Sequence, residues 1–175
     1  LNGIYSKTGN PGVLYQIRNL IGVCGQEQQE EFYQMLQRKG DDLFRFDYHF
    51  IQGTEMEGTV IGGNIRCLLK LAGTEYFPEC HDRILLLESL SGGMSRIIAY
   101  FSQLQQMGVF EQCAGVLLGT FTQLEQENGT DTAPELLRHF VRSALPIAKT
   151  QQIGHGEDSK AVMIGRSLLL SNEIL

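Results

Sequence analysis

The sequence predicts an α/β protein, on three observations. Apolar runs of strand length occur at ILLL (84–87) and GVLL (115–118), each bounded by charged or small residues. Between them SRIIAYFSQLQQMGVF carries Ile97, Tyr100, Phe101 and Leu104 at helical spacing. From residue 54 onward this alternation of strand and helix recurs.

The opening LNGIYSKTG reads as the second half of a helix, with Leu1, Ile4 and Tyr5 on one face and Gly9 just past its end. After the break at Gly9–Gly12, VLYQI (13–17) has the composition of a short strand. QEQQEEFYQMLQRKG follows, with Phe32, Met35 and Leu36 at helical spacing and Gly40 as a stop; its glutamines and glutamates predict a solvated helix or hinge. Residues 41–53 alternate (Phe44, Phe46, Tyr48, Phe50) and predict a strand with one buried face and His49 on the other. EGTVIGGNIRCLLKLAGTEYF predicts a strand through Val60, a turn at Gly62–Gly63, and a helix carrying Ile65, Leu68, Leu69 and Ala72. DRILLLES and AGVLLGTF predict buried strands on either side of the 95–110 helix. Asp131 is a suitable N-cap for the helix APELLRHFVRSAL, with Pro134 in its first turn and Leu136, Phe140 and Val141 inward. AVMIGRSLLLSNEIL predicts a terminal hairpin around Gly165–Arg166.

A chain of 175 residues is long enough to bury a core, and 42% hydrophobic with 19% charged residues is an ordinary globular balance. The net charge of −6 offers no footprint for nucleic acid or an anionic membrane surface. The apolar runs are far too short to span a bilayer. Cys24, Cys67, Cys80 and Cys113 form no CxxC pair, which predicts free thiols in a reducing cytoplasm and no metal site.

Glu88 closes the 84–88 run, and reacting groups in open α/β sheets gather beyond the carboxyl ends of strands. A carboxylate there could orient a histidine, or simply begin a loop. His155 sits between two glycines in QQIGHGEDSK, a setting that suits a working imidazole and a surface turn equally. Gly62–Gly63–Asn64 could present free N–H groups to a carboxylate or serve as a tight turn; its spacing is not that of a P-loop. His139 reads as a helix-face residue, and His81 beside Cys80 lacks further ligands. Ser91, Ser95, Ser159 and Ser167 lie in no G-x-S-x-G elbow. The residues thus supply a possible base and orienting acid, without a nucleophile.

Four segments in order resemble the LD-carboxypeptidase family of serine peptidases, which includes the microcin C self-immunity proteins. They are GTVIGGNIRCLLKLAGTEYFPE, ILLLES, SRIIAYFSQLQQMGVFEQCAGVLLGTFT and IGHGEDSKAVMIG, spanning about residues 54–170. The family counterparts are a GGNL turn, a GTPYFPD-like stretch, a strand ending in the catalytic glutamate, a QL..AGVF helix, a VLGRFT strand and a GHG segment. The resemblance implies a swivelling β/β/α C-terminal domain at 54–175, a linker and lead-in strand at 23–53, and a remnant of the N-terminal nucleophile domain at 1–22.

It further implies Glu88 and His155 as the acid and base of a Ser-His-Glu triad, and Gly63 and Asn64 as substrate-binding residues. The implied reaction is cleavage of an L,D-peptide bond, releasing terminal D-Ala from a murein tetrapeptide in peptidoglycan recycling. No cofactor is implied. The implied setting is a cytoplasmic homodimer, with a murein or related small peptide as partner and neither nucleic acid nor membrane. The family serine lies in a G-[FY]-S-D segment of the N-terminal domain; it would fall a few residues before Leu1, so this chain alone should be inactive. VLYQIRN stands where the family shows an HGP-like stretch, and KTQQI and VMIG replace the usual flanks of GHG. Arg66 and Arg166 are candidate anchors for a substrate carboxylate or ordinary surface charges. The alternatives are a self-immunity amidase and a non-catalytic interaction module.

Overall fold

The computed structural model describes residues 1–21 and 25–172; Cys24 and the last three residues of the expected terminal strand lie outside them. Its centre is a six-stranded sheet of order β2-β6-β5-β4-β3-β8. The strands are β2 (His49–Gln52), β3 (Glu55–Asn64), β4 (Arg83–Ser89), β5 (Gly115–Phe121), β6 (Ile147–Lys149) and β8 (Ser167–Ser171). β3, β4, β5 and β6 run parallel, and β2 and β8 close the edges antiparallel. β4 and β5 are flanked by parallel neighbours and covered on both faces, so every residue of β5 is buried and their sequences read as unbroken apolar runs.

The connections β3–β4–β5–β6 all step the same way across the sheet. Right-handed crossovers therefore place their helices on one face. These helices are α3 (Ile65–Leu69), α4 (Met94–Gln106), α5 (Val109–Gln112), α6 (Thr122–Asn128) and α7 (Thr132–Arg138). Ile97, Phe101, Leu104, Phe110, Leu124 and Leu137 from them pack on Ile61, Leu85, Leu87, Val116 and Leu118 of the sheet. Each such fully buried side chain contributes about 1.5–3 kcal/mol.

The other face presents Met56, Val60, Ile84, Leu86, Leu117 and Ala148. No crossover helix reaches it. It is covered by a two-stranded antiparallel sheet of β1 (Gly12–Leu14) and β7 (Val162–Ile164), together with the aromatics Phe46, Tyr48 and Phe50. The three layers are thus small sheet, large sheet and helices, the β/β/α order. α1 (Asn2–Thr8) is tied to β3 by a reciprocal pair of 2.8 Å bonds: the Asn2 amide donates to the Gly62 carbonyl and accepts from the Gly62 N–H.

Several elements differ from expectation. β7 and β8 are not a hairpin: β7 pairs with β1 and β8 with β3, because Gly165–Arg166 carries the chain from one sheet to the other. Gly62 and Gly63 lie inside β3 rather than in a turn; a Cβ at Gly62 would stand 2.1 Å from the Leu86 carbonyl oxygen, so the freedom of Gly62 serves close approach of β4, while Gly63 lies against the Leu14 side chain. Residues 41–53 make a 3-10 turn (Asp42–Phe44) before the short β2, and β1 gives way to a 3-10 turn at Ile17–Leu20. α2 (Gln26–Leu36) is the helix expected there. The 134–144 helix starts earlier and ends sooner, at α7, and Asp131 makes no side-chain cap bond. Phe140, beyond it, still packs on the Phe101 ring at 6.0 Å.

Candidate active site

Glu88 is the penultimate residue of β4, in register with Asn64 at the end of β3. It continues the Ile84–Leu86 parity and so belongs to the face covered by the small sheet. On its other side the ladder slips: Leu87 pairs with Leu118, but Ser89 pairs with Phe121. Gly119 and Thr120 thus oppose Glu88 alone, a β-bulge that turns the end of β5 toward it. Gly119 packs where a Cβ would sit 2.4 Å from the Ile153 carbonyl oxygen and 3.1 Å from Glu88 Cβ. Any larger residue would force that segment away.

The segment around His155 is anchored rather than loose. Ile153 is buried in the small-sheet core, and its carbonyl accepts the Thr120 N–H at 2.8 Å. Gly154 adopts φ +141°, a backbone conformation side chains rarely take, and sets the His155 N–H 3.5 Å from Thr120 Oγ1. Downstream, the buried Asn19 amide donates to the carbonyls of Gly156 (2.7 Å) and Glu157 (3.2 Å) and to Ser159 Oγ (3.3 Å). Gln28 of α2 donates to the Ser159 carbonyl, and Lys160 forms an ion pair with Glu31.

This framework brings His155 Nε2 to 3.0 Å from Glu88 Oε2, with the two side chains 22% and 5% exposed. The contact is close without the alignment of a hydrogen bond, and neither atom has a hydrogen-bond partner. Such pairs commonly tighten only when substrate arrives. The other ring nitrogen, Nδ1, is not the one that approaches Glu88. A cleft of about 50 Å³ opens on the pair, walled by Leu14, Tyr15, Gln16, Gly154 and Lys160; that volume suits one or two waters. No serine, threonine or cysteine lines it among the described residues. A larger groove of about 620 Å³ lies by Arg83, at the opposite end of β4, and contains neither member of the pair.

Behind the bulge, Lys149 of β6 is buried. Its ammonium donates to the Gly119 carbonyl (2.7 Å) and to Glu125 Oε1 (2.6 Å), which also accepts the Phe121 N–H (2.9 Å). Burial lowers the lysine pKa from its ordinary value, and the Glu125 carboxylate opposes that shift.

Other singled-out residues lie apart. Asn64 caps α3, accepting the Cys67 N–H at 3.2 Å, and Gly63 faces Leu14; neither lines the cleft. Arg66, Arg166, His49 and His139 are exposed, and His81 pairs with Asp82 on the surface. Ser91, Ser95 and Ser167 are exposed, and Ser159 is buried as an acceptor for Asn19. Cys67, Cys80 and Cys113 are free thiols. No group of three metal-binding side chains, and no helix long and apolar enough to cross a membrane, occurs among the described residues. Sequence reasoning missed Asn19, Gln28, Thr120 and Lys149. Only the lysine inside a strand-like IAK stretch offered a local signal.

A β/β/α domain with an acid–imidazole pair at the carboxyl ends of its parallel strands is therefore the class this chain falls in. Residues 57–170 match the LD-carboxypeptidase C-terminal domain, and the chain belongs to the LD-carboxypeptidase family. It is similar to the putative carboxypeptidase YocD of Bacillus subtilis, 32% identical over 66% of this chain and 36% of that protein. A probable murein peptide carboxypeptidase of the same organism is 26% identical over 62% of this chain and 35% of its own length. The solved microcin C7 self-immunity protein MccF superposes with a TM-score of 0.79 at 19% identity, covering 99% of this chain and 64% of that one. The chain thus spans little more than a third of these curated relatives.

Proposed function

We propose that this chain supplies the base and acid of a serine carboxypeptidase acting on an L,D-peptide bond, the terminal D-Ala of a murein tetrapeptide being the substrate group released. The observation that carries the reading is the 3.0 Å approach of His155 to Glu88 across the β4–β5 bulge. In this scheme a serine attacks the scissile carbonyl while the free ring nitrogen of His155 takes its proton. Glu88 holds the ring and stabilises the imidazolium, and His155 then returns the proton to the leaving amine. In this scheme the serine and the oxyanion-binding backbone come from the family's N-terminal nucleophile domain. The Asn2–Gly62 clamp supports that route, because it holds the start of α1 at the end of β3, one strand from Glu88. In this division residues 1–22 belong with the nucleophile domain, 23–53 link, and 54–175 carry the acid and base. Gly63 and Asn64, at the same sheet end, would border the substrate.

The decisive experiment coexpresses this chain with a separate chain carrying the G-[FY]-S-D domain and measures D-Ala release from murein tetrapeptide. Release by the pair, none by the 175-residue chain alone, and loss on His155→Ala are expected. Turnover by the chain alone, or a folded complex indifferent to H155A, would overturn the reading. A second reading, an amidase acting on aminoacyl nucleotides, draws on Tyr15 in the cleft wall, its ring stacked on Phe32 at 5.7 Å. MccF itself has been solved with aspartyl sulfamoyl adenosine. Offering that compound to the same complex separates the two readings by which substrate is consumed.

A further inference from the structure

We infer that the buried Lys149–Glu125 pair is a positioning device for the Glu88–His155 pair, an inference that rests on the reading above. Both charged groups are nearly inaccessible, the two side chains being 1% and 9% exposed. Their hydrogen bonds to β5 fall on the first and last of three successive residues. Lys149 holds the Gly119 carbonyl, Glu125 holds the Phe121 N–H, and Thr120 between them carries the His155 segment through Ile153 and the His155 N–H. Gly119 also abuts Glu88 Cβ. The bulge is thus gripped from the helix side by the ion pair, and it grips acid and base from the other side. A ladder that slips at Leu87/Ser89 has lost its own regular bonding there, so its shape depends on such external bonds. Burying an ammonium and a carboxylate is costly unless both are paired and hydrogen-bonded. Here both bonds of the Lys149 ammonium go to its partner or to the bulge. Neither group reaches the cleft, so their role is to place the pair, not to touch substrate.

The test uses the ring ¹⁵N resonances of His155 in this chain, read by NMR, which need no turnover. Glu88→Gln should shift them, because the imidazole loses its carboxylate. Glu125→Ala and Glu125→Gln carry the same charge and differ in the acceptor oxygen for Phe121 N–H and Lys149. Glu125→Ala should therefore reproduce most of the E88Q shift, and Glu125→Gln should leave the parent resonances in place. The double variant Lys149→Met/Glu125→Leu removes both charges at once, avoids a lone buried ion, and should shift the ring as E125A does. A folded E125A or double variant with parent-like resonances would overturn the inference alone. Ring resonances indifferent to E88Q would overturn the Glu88–His155 pair, and the inference with it.

Discussion

The two faces of the large sheet are built in opposite ways. The helical face is assembled from neighbours in sequence: each of α3 to α7 lies between the two strands it connects. The other face is assembled from distant pieces, namely β1, the 46–50 aromatics, Ile153, β7 and Leu170. Glu88 and His155 belong to this second face. Locally built structure supplies stability, whereas the Glu88 carboxylate and the His155 imidazole meet only where remote segments converge. Apart from the Lys149–Glu125 pair, changes on the helical face should therefore act mainly on stability, and changes on the other face mainly on site geometry.

The largest test of this contrast is Phe101→Ala. Phe101 is fully buried, with Phe121 and Phe140 rings 5.9 and 6.0 Å away. Its truncation should cost about 3–5 kcal/mol in urea denaturation. Gly119→Ala should do the reverse. The chain should stay folded by circular dichroism, while under the proposed function D-Ala release by the complemented protein falls about 100-fold, the loss expected when the proposed acid and base are displaced by about an ångström. An equal loss of stability in both variants would erase the distinction.

Asn19→Ala probes the tie between the chain's first twenty residues and the histidine segment. It leaves the Gly156 and Glu157 carbonyls without their donor, a cost of about 1–3 kcal/mol. Amide exchange of residues 156–159 should accelerate, while exchange in β4 and β5 stays slow. A uniform acceleration would mean that Asn19 supports the whole fold instead.

Buried thiols on the helical face give a smaller, pH-dependent effect. Burial pushes Cys80 up to about 11 and Cys113 up to about 12, against an ordinary value of 9.0. Above pH 9 the native chain then holds protons that the unfolded chain releases. The stabilisation is complete below pH 9 and is lost as pH rises toward 11–12. Lys149, whose pKa is lowered, acts with the opposite sign below 10.5. Comparing urea midpoints of wild type and Cys113→Ala from pH 8 upward should show a shallower decline in the variant. Smallest of all, a thiol reagent should modify exposed Cys67 in the native chain and spare Cys80 and Cys113, as read by peptide mass mapping.

Legibility in the sequence follows the same division. The strands around ILLL and GVLL and the Ile97–Leu104 stripe are periodic signals carried by consecutive residues, and they fold as read. GRS at 165–167 shows the limit. Two strands flanking a Gly-Arg step look like a hairpin, but each finds a better partner elsewhere, β1 for one and β3 for the other. Gly62–Gly63 fails similarly, because glycine signals freedom without saying whether a turn or a close approach uses it. Glu88 and His155 were singled out as candidates from the sequence, and the structure brings their side chains to 3.0 Å. Asn19, Gln28 and Thr120 were not, because a polar side chain that bonds to backbone far along the chain has no local pattern.

By itself, then, the sequence determined the α/β class, the parallel strand–helix units and the segments that carry the acid and the histidine. Those properties depend on side-chain periodicity within one element. Only the tertiary structure decided that β1, near the start of the chain, and β7, near its end, cover one face together. It also decided that a bulge in β5 faces Glu88, and that QQIGHGEDSK is held by Asn19, Gln28 and Thr120. The 3.0 Å between imidazole and carboxylate is the sum of those long-range contacts, which no window of the sequence contains.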